Sequence, residues 1–291
     1  MHATVGILFA FGALISWGLG DFFIQRSSRH VGRTKTLFFL ALFGAIVLFP
    51  FAAPQLPALL HMPRIVLQLV VLSLFILPVA LVNFEALKRG KISVVMPVIG
   101  LELPITVLLA LYLSHERLSA VQLMLIGVVF IGVVLTVTAI HGDEHSEKMH
   151  VERGAILALF AAIGLAVINY TIAITSQQTS EVLTLWFTHT MLAVISGVYL
   201  LVKGRFVSAF RDVRRFPVAI IGASFFDNAG WLSYAHAATR IPISIAVTIT
   251  EGFVALASIL GIVVNKEKLR PHQFVGAAIA ICGILVLAYI T

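Results

Sequence analysis

The sequence predicts an all-α polytopic membrane protein of ten transmembrane helices, arranged as two inverted five-helix repeats. Sixty per cent of the 291 residues are hydrophobic and 11% are charged, against about a quarter charged in an average soluble domain. Apolar segments of about 20 residues, the length that crosses a bilayer core, follow one another with short polar connections. This composition excludes a soluble globular domain.

Ten segments fit a membrane-spanning helix. They cover residues 3–23, 34–53, 65–87, 92–113, 119–140, 154–175, 182–202, 217–237, 243–264 and 271–290. Runs such as 123–139 are apolar on every side, which favours lipid-embedded helices over strands. No Lys or Arg precedes the first segment, and Arg26 follows it, which is the reverse of a secretory signal peptide. We therefore expect this segment to stay in the mature protein.

The basic residues are divided unequally between alternate connections. Of the 20 Lys and Arg residues, three lie on one side, namely Arg64, Arg117 and Arg240, and the other 17 lie on the opposite side. The side richer in Lys and Arg is normally cytoplasmic. Both termini are therefore predicted to lie outside the cytoplasm, in a cell inner membrane.

An internal repeat divides the chain. A shift of 151 residues aligns Glu116 with Glu267 and Ser93 with Ser244. We predict a first repeat over residues 1–140, a cytoplasmic linker over 141–153 and a second repeat over 154–291. Because five helices is an odd number, the second repeat must be inverted, as in transporters whose site lies between two inverted repeats.

The repeat ends carry a short pattern that resembles the drug/metabolite transporter (DMT) superfamily, of the EamA type. In the second repeat the pattern is Glu267, Gln273, Gly276 and Gly283, and in the first it is Glu116, Gln122 and Gly132, with Leu125 where a glycine is expected. Ala13, Trp17 and Gly18 are similar to the first-helix signature of that family. The resemblance implies metabolite transport through a central cavity enclosed by helices 1–4 and 6–9, with helices 5 and 10 outside.

Three acidic residues fall near the middle of predicted spans, namely Glu102, Asp227 and Glu251. An ionisable group at the bilayer centre costs about 2.5–3.5 kcal/mol on insertion scales, so it normally faces a cavity. We expect at least one of the three to bind the solute or a proton. The alternative is that they are protonated or hydrogen-bonded packing groups.

Polar and aromatic residues share helix faces with two of these acids. Thr248 lies with Glu251, and Asn228, Trp231 and Tyr234 lie with Asp227, at the spacing of one helical face. These faces are predicted to form a shared wall that binds the solute or protons. His189 is a further candidate, although a lone histidine is more often a hydrogen-bonded packing group.

Candidate gate residues lie nearer the membrane faces: Trp17, Asp21, Asn83 and Asn169. Helix capping is an alternative interpretation of Asp21 and Asn169. For Glu85, close to Lys88 and Arg89, a solvated ion-pair cluster is the favoured interpretation.

No catalytic residue, cofactor or metal site is predicted. The sequence contains no GxxxxGK[ST], HExxH or GxSxG motif, which argues against an ATP motor and against an intramembrane hydrolase. His141, His145 and His150 in the linker lack the rigid spacing of metal ligands. The basic residues between 203 and 215 are expected to meet anionic headgroups and not nucleic acid.

The sequence therefore predicts a secondary transporter. We expect an exporter of a small metabolite, such as an amino acid, that works by alternating access and is coupled to protons. The alternative is a flippase, or a carrier of a lipid-linked or sugar-phosphate substrate. Gly127 and Gly132, with Gly276, Ala280 and Gly283, offer small-residue faces for helix packing. These faces could serve a homodimer or contacts within the chain.

Overall fold

The computed structural model describes residues 2–90, 92–137, 153–265 and 271–291. The first half contains α1 His2–Val31, α2 Arg33–Ala52, a 3-10 helix Ala53–Gln55, α3 Leu56–Leu60, α4 Pro63–Arg89, α5 Ile92–Ile99, α6 Glu102–Leu113 and α7 Ala120–Val137. The second half contains α8 Arg153–Gln178, α9 Glu181–Val202, α10 Phe206–Arg215, α11 Pro217–Ala238, α12 Ile243–Thr250, α13 Gly252–Asn265 and α14 Pro271–Tyr289. The linker predicted over 141–153 lies, apart from its last residue, outside the described residues, as does Glu267.

The described residues form helices and their connections, without a strand among them. Five helical stretches are long and apolar enough to cross a membrane, namely His2–Val31, Arg33–Leu60, Pro63–Arg89, Gly154–Gln178 and Glu181–Val202. Shorter apolar stretches are Glu102–Leu113, Ala120–Leu135, Ile243–Ala257 and Val275–Tyr289. An all-helical membrane fold is confirmed, and the exact number of ten spans stays a prediction.

Two of the predicted spans are interrupted, which corrects the expectation of continuous helices over 92–113 and 243–264. The first interruption, between α5 and α6, has a local chemical cause. Pro104 has no N–H to donate to the carbonyl of Gly100 four residues earlier. The N–H of Leu103 donates to that carbonyl instead, at 3.3 Å, in the tighter 3-10 pattern.

The second interruption lies between α12 and α13 and contains no proline. There the N–H of Val254 donates to the carbonyl of Glu251 at 3.1 Å, again three residues back. Gly252 begins α13 in close contact with α1, since a Cβ atom there would lie 2.5 Å from Cδ1 of Leu14. We call these two interruptions the first and second helix breaks.

Helices of the two halves pack against each other in a regular scheme. The main contacts between the halves are α1 with α11, α4 with α8, α2 with α9, and α7 with α14. By their order in each half, α1 is equivalent to α8, α2 to α9, α4 to α11 and α7 to α14. If each helix is exchanged for its equivalent, the pair α1 with α11 becomes α8 with α4, and the other two pairs stay the same. The packing therefore follows an approximate two-fold relationship between the halves.

The small residues of α7 and α14 allow close packing within the chain. A Cβ atom on Gly132 would lie 2.5 Å from the backbone nitrogen of Ala280, whereas one on Gly127 would have no heavy atom within 4 Å. Of these two glycines of α7, Gly132 is therefore the one that this contact requires. Contacts of this type occur where two helix backbones approach closely in a membrane.

Candidate functional site

A cavity of about 100 Å³ lies between the two halves, with room for several water molecules. Its walls come from α1, α2, α4, α5 and α6 of the first half and from α8, α9, α11 and α13 of the second. Within the described part of the chain, neither α7 nor α14 contributes to the wall. Both helix breaks reach the cavity, since Ile99 and Glu102 flank the first and Phe253 follows the second.

The cavity brings together most of the residues that the sequence singled out. From the predicted binding set it contains Glu102, His189, Asp227 and Trp231, and from the predicted gates it contains Trp17, Asp21, Asn83 and Asn169. The two sets therefore share one space and are not layered one above the other. Their roles in binding or gating stay predictions.

Four predicted residues lie outside this cavity, in the part of the chain that the structure describes. The amide nitrogen of Asn228 donates to the carbonyls of Leu40 at 3.0 Å and Ser224 at 2.8 Å. The hydroxyl of Tyr234 donates to the carbonyl of Asn169 at 3.1 Å. Asn228 follows Asp227 directly, so a turn of about 100° per residue along the helix directs the two side chains differently.

The other two, Thr248 and Glu251, are fully buried in the second half. The hydroxyl of Thr248 donates to the carbonyl of Ser244 at 2.6 Å, one turn earlier on its own helix. Neither carboxyl oxygen of Glu251 has a hydrogen-bond partner among the described residues. Phe253, two residues further along the chain, lines the cavity, so Glu251 lies close behind the cavity wall.

Glu102 is the carboxyl group of the first helix break that reaches the cavity. Only 3% of the residue is exposed, and its Oε2 atom has no hydrogen-bond partner among the described residues. The Oδ1 atom of Asn83 is also buried and without a partner there. Buried acceptors without donors are rare in folded proteins, and both of these residues line the cavity.

Aromatic rings form one side of the cavity, and the sequence pointed to only some of them. Trp17 lies edge-on to Trp231 with ring centroids 5.0 Å apart, and its centroid is 5.6 Å from that of Phe253. Phe84 and Phe253 were missed, because phenylalanine is common in any lipid-facing helix. The repeat shift of 151 residues carried the missing signal for Phe253, since it aligns this residue with Glu102.

His189 is held in place by its own helix and by a close glycine contact. Its Nδ1 atom lies 2.7 Å from the carbonyl of Leu185, so Nδ1 donates and the Nε2 atom of the neutral ring is an acceptor. A Cβ atom on Gly44 would lie 2.1 Å from Oδ1 of Asn228 and 2.7 Å from Cδ2 of His189. Any side chain at position 44 would therefore displace both residues.

At the end of the molecule predicted to be extracytoplasmic, Glu116 joins the two halves. Its carboxyl oxygens accept hydrogen bonds from the backbone N–H of Ile243 at 2.5 Å and of Ser244 at 3.1 Å, and from the Ser244 hydroxyl. These are the free N–H groups at the start of α12. Ser114 and Tyr170 form a second link between the halves, with a hydroxyl–hydroxyl distance of 2.9 Å.

At the opposite end, α1 is fixed to the end of α4. The amide nitrogen of Gln25 donates to the carbonyl of Leu87 at 3.0 Å, and Arg29 donates to the carbonyl of Gly90 at 3.0 Å. Glu85 pairs with Arg33 at 3.5 Å and also with Arg89. These contacts lie within the first half. Between the halves, Lys35 on α2 pairs with Asp212 on α10 at 2.6 Å, and a Cβ atom added to Gly90 would lie 3.5 Å from the Cα atom of Gly154.

No group of three or more His, Cys, Asp or Glu side chains is arranged to hold a metal ion among the described residues. The carboxyl groups of the cavity are instead spread over α1, α6 and α11. The chemistry available is hydrogen bonding, charge and proton exchange.

Comparison with known proteins gives one family. The model of the EamA-like transporter family matches the chain twice, over residues 4–138 and 152–289. No curated protein matches the sequence. The fold is similar to that of a protein of known crystal structure with 15% sequence identity and a TM-score of 0.69, over 98% of this chain and 96% of the other. At this identity the structural similarity concerns the fold alone.

Proposed function

Because this chain belongs to the EamA-like transporter family, we propose that it is a secondary transporter that exports a small solute by alternating access in exchange for protons. Membership of the family makes it a multi-pass membrane transporter. The direction, the coupling ion and the mechanism are the proposed part. The proposal includes the domain arrangement of two inverted repeats, 1–140 and 154–291, joined by a cytoplasmic linker.

The observation that carries the proposal is the position of the cavity. It lies between the halves, and both helix breaks reach it. In transporters built from inverted repeats, the solute site typically lies at the repeat interface beside interrupted helices. Relative movement of the halves would open this space to one side of the membrane at a time.

The contacts at the two ends support alternate opening. Closure at the Glu116 end depends on hydrogen bonds between the halves, which are the contacts that must break if this end opens. At the opposite end Gln25 and Arg29 form hydrogen bonds within the first half, and the ion pair of Lys35 with Asp212 joins α2 to α10 of the second half. The two ends are thus joined by separate contacts between the halves, so one set can break while the other stays formed.

Proton exchange is supported by the charged groups around the cavity. Asp21 on α1, Glu102 on α6 and Asp227 on α11 line it, Glu251 lies behind the wall, and His189 faces it from α9. Among the described residues none of the four carboxyl groups forms an ion pair with Lys or Arg. Such groups can exchange a proton for a solute without first breaking an ion pair. An inward proton gradient then drives the solute out.

The test is solute efflux from liposomes that contain the purified protein. The liposomes are loaded with isoamylamine, leucine, arginine, choline or glucose 6-phosphate, and the outside is acidified. We expect faster efflux of at least one solute than from empty liposomes, and no acceleration after a protonophore collapses the gradient. If none of these solutes moves faster, or if only a fluorescent phosphatidylcholine is transferred between leaflets, the proposal is wrong.

The proposed orientation places both termini outside the cytoplasm, in the inner membrane. It is supported by the 17 to 3 division of Lys and Arg. Alkaline phosphatase fused after Thr291 should be active, because this enzyme matures only outside the cytoplasm, and a green fluorescent protein fused there through the same secretion route should be dark. The opposite pair of signals would invert the orientation.

A further inference from the structure

We infer that the cavity selects small organic cations with a protonated amine and an aliphatic body, and that it discriminates against zwitterions and anions. This inference rests on the proposed function, since it names the substrate class of the same site. It goes beyond that function because a transporter that exchanges a solute for protons could carry a cation, a zwitterion or an anion. The binding experiment below measures selectivity without requiring transport.

The charges on the wall favour a cation. Asp21, Glu102 and Asp227 supply three carboxyl groups, and the wall contains no Lys or Arg among the described residues. The basic side chain present is His189, whose neutral ring offers an acceptor at Nε2. A carboxylate or phosphate on the ligand would meet three carboxyl groups without a fixed positive charge, and like charges brought together weaken binding strongly.

The hydrogen-bonding atoms of the wall also require a donor. Oε2 of Glu102 and Oδ1 of Asn83 are buried acceptors without a partner among the described residues, and both residues line the cavity. A protonated primary amine carries three donors and no acceptor. A ligand of this kind brings donors to the three carboxyl groups of the wall, whereas a carboxylate would bring only acceptors.

The aromatic side of the cavity has the same preference. The ring centroids of Trp231 and Phe253 lie 5.0 and 5.6 Å from that of Trp17, and all three residues line the cavity. The face of an aromatic ring attracts a cation within about 6 Å of its centroid. Carboxyl groups and ring faces therefore act in the same direction on a positive charge.

The rest of the wall is aliphatic and sets the size of the ligand. It is formed by side chains such as Leu40, Ile76, Ile168, Leu185 and Leu192. A volume of about 100 Å³ suits a short branched alkyl chain better than a sugar ring or a nucleoside. A few polar groups in a mostly apolar pocket are what fixes ligand orientation and specificity.

The test uses three ligands that share one alkyl body. Isoamylamine is leucine without its carboxyl group, and 4-methylpentanoate is leucine without its amino group. Binding is measured by calorimetry on the full chain in lipid nanodiscs, with empty nanodiscs as the control for partition into lipid. We expect isoamylamine to bind at least about tenfold more tightly than leucine, and 4-methylpentanoate not to bind.

The chain also reports where the ligand binds. Two of its three tryptophans, Trp17 and Trp231, line the cavity, and Trp186 does not. In a Trp186→Phe background the remaining tryptophan fluorescence comes from the two tryptophans that line the cavity. We expect isoamylamine to change it at the same concentrations at which heat is released.

A matched pair of variants separates the site from the overall charge. Asp227→Asn removes a carboxyl group from the wall, and Glu181→Gln removes one from α9 outside the cavity, where it pairs with His236 of the same half. We expect the first to weaken isoamylamine binding about tenfold and the second to leave it unchanged. The inference is overturned if leucine or 4-methylpentanoate binds as tightly as isoamylamine. It is also overturned if isoamylamine does not bind.

The two proposals fail in different ways. If amines bind selectively but no solute crosses the liposome membrane, the transport proposal fails and the ligand class stands. If a solute is transported in exchange for protons but leucine binds as well as isoamylamine, the ligand class fails and transport stands. If the Asp227→Asn variant does not fold, binding of the three ligands to the unchanged chain still tests the ligand class.

Discussion

The two helix breaks occupy equivalent positions in the two halves and contribute different chemistry. The shift of 151 residues places Glu102 on Phe253 and Gly100 on Glu251. Both Glu102 and Phe253 line the cavity. One position therefore carries a carboxyl group in the first half and an aromatic ring in the second, and the two face the same space.

The acid of the second break is not the counterpart of the acid of the first. Glu251 is fully buried behind the wall, at the position where the first half has Gly100. The repeats share a backbone arrangement and have diverged in the side chains it carries. We conclude that acids at similar depth need not have similar roles. Substitutions at the two breaks and at the start of α12 can test how the two halves differ.

The largest expected effect separates the two glutamates. Glu102→Gln should weaken isoamylamine binding about 10- to 100-fold, because a hydrogen bond to a charged group contributes about 1.5–3 kcal/mol. Glu251→Gln should weaken it less than Glu102→Gln does, because Glu251 does not line the cavity and reaches the ligand only through its neighbour Glu102. Calorimetry in nanodiscs measures both. A larger loss in Glu251→Gln would reverse the assignment of the two acids.

Added volume at the second break should destabilise the protein more than the same addition at an open position of α7. Gly252→Ala places a methyl group 2.5 Å from Cδ1 of Leu14 and 2.9 Å from Cδ1 of Ile284, and overpacking of this kind costs about 1–3 kcal/mol. Gly127→Ala is the control, because nothing lies within 4 Å of its added atom. Unfolding in mixed detergent micelles should show a loss for the first variant alone. Equal stability of the two would mean that α1 and α13 are not in close contact.

The aromatic side of the comparison predicts a moderate effect. Phe253→Leu should weaken isoamylamine binding about three- to thirtyfold, since an attraction between a cation and a ring contributes about 0.5–2 kcal/mol. Phe253→Tyr keeps the ring and should bind nearly as well as the unchanged chain. If both substitutions weaken binding equally, the ring acts through its shape and not through its face.

The smallest effect concerns the start of the broken helix in the second half. Glu116→Gln removes the negative charge that caps α12 from the first half, and a charge at a helix N-terminus contributes about 0.3–1 kcal/mol. We expect a loss of that size in the unfolding free energy, measured in mixed detergent micelles. A stability equal to that of the unchanged chain would show that the charge of Glu116 does not stabilise this end.

Composition and segment length predicted the helical membrane fold, because bilayer thickness and backbone hydrogen bonding leave few alternatives, and the Glu, Gln and Gly pattern at the repeat ends predicted the family. Pro97 and Pro104, on either side of Glu102, indicated a kink near the first break. Sequence reasoning missed the second break, which contains no proline. It also placed Asn228 and Asp227 on one face. The structure turns Asn228 to the carbonyl of Leu40, a choice that depends on a neighbouring helix and not on local spacing.

The ring contact between Trp17 and Trp231 has a consequence for the unloaded protein. These residues belong to opposite halves and touch edge-on in the middle of the molecule, a geometry favourable for aromatic pairs. An entering solute must compete with this contact for the same faces. The contact between the two rings thus adds to the cost of solute entry, by about 0.5–1.5 kcal/mol.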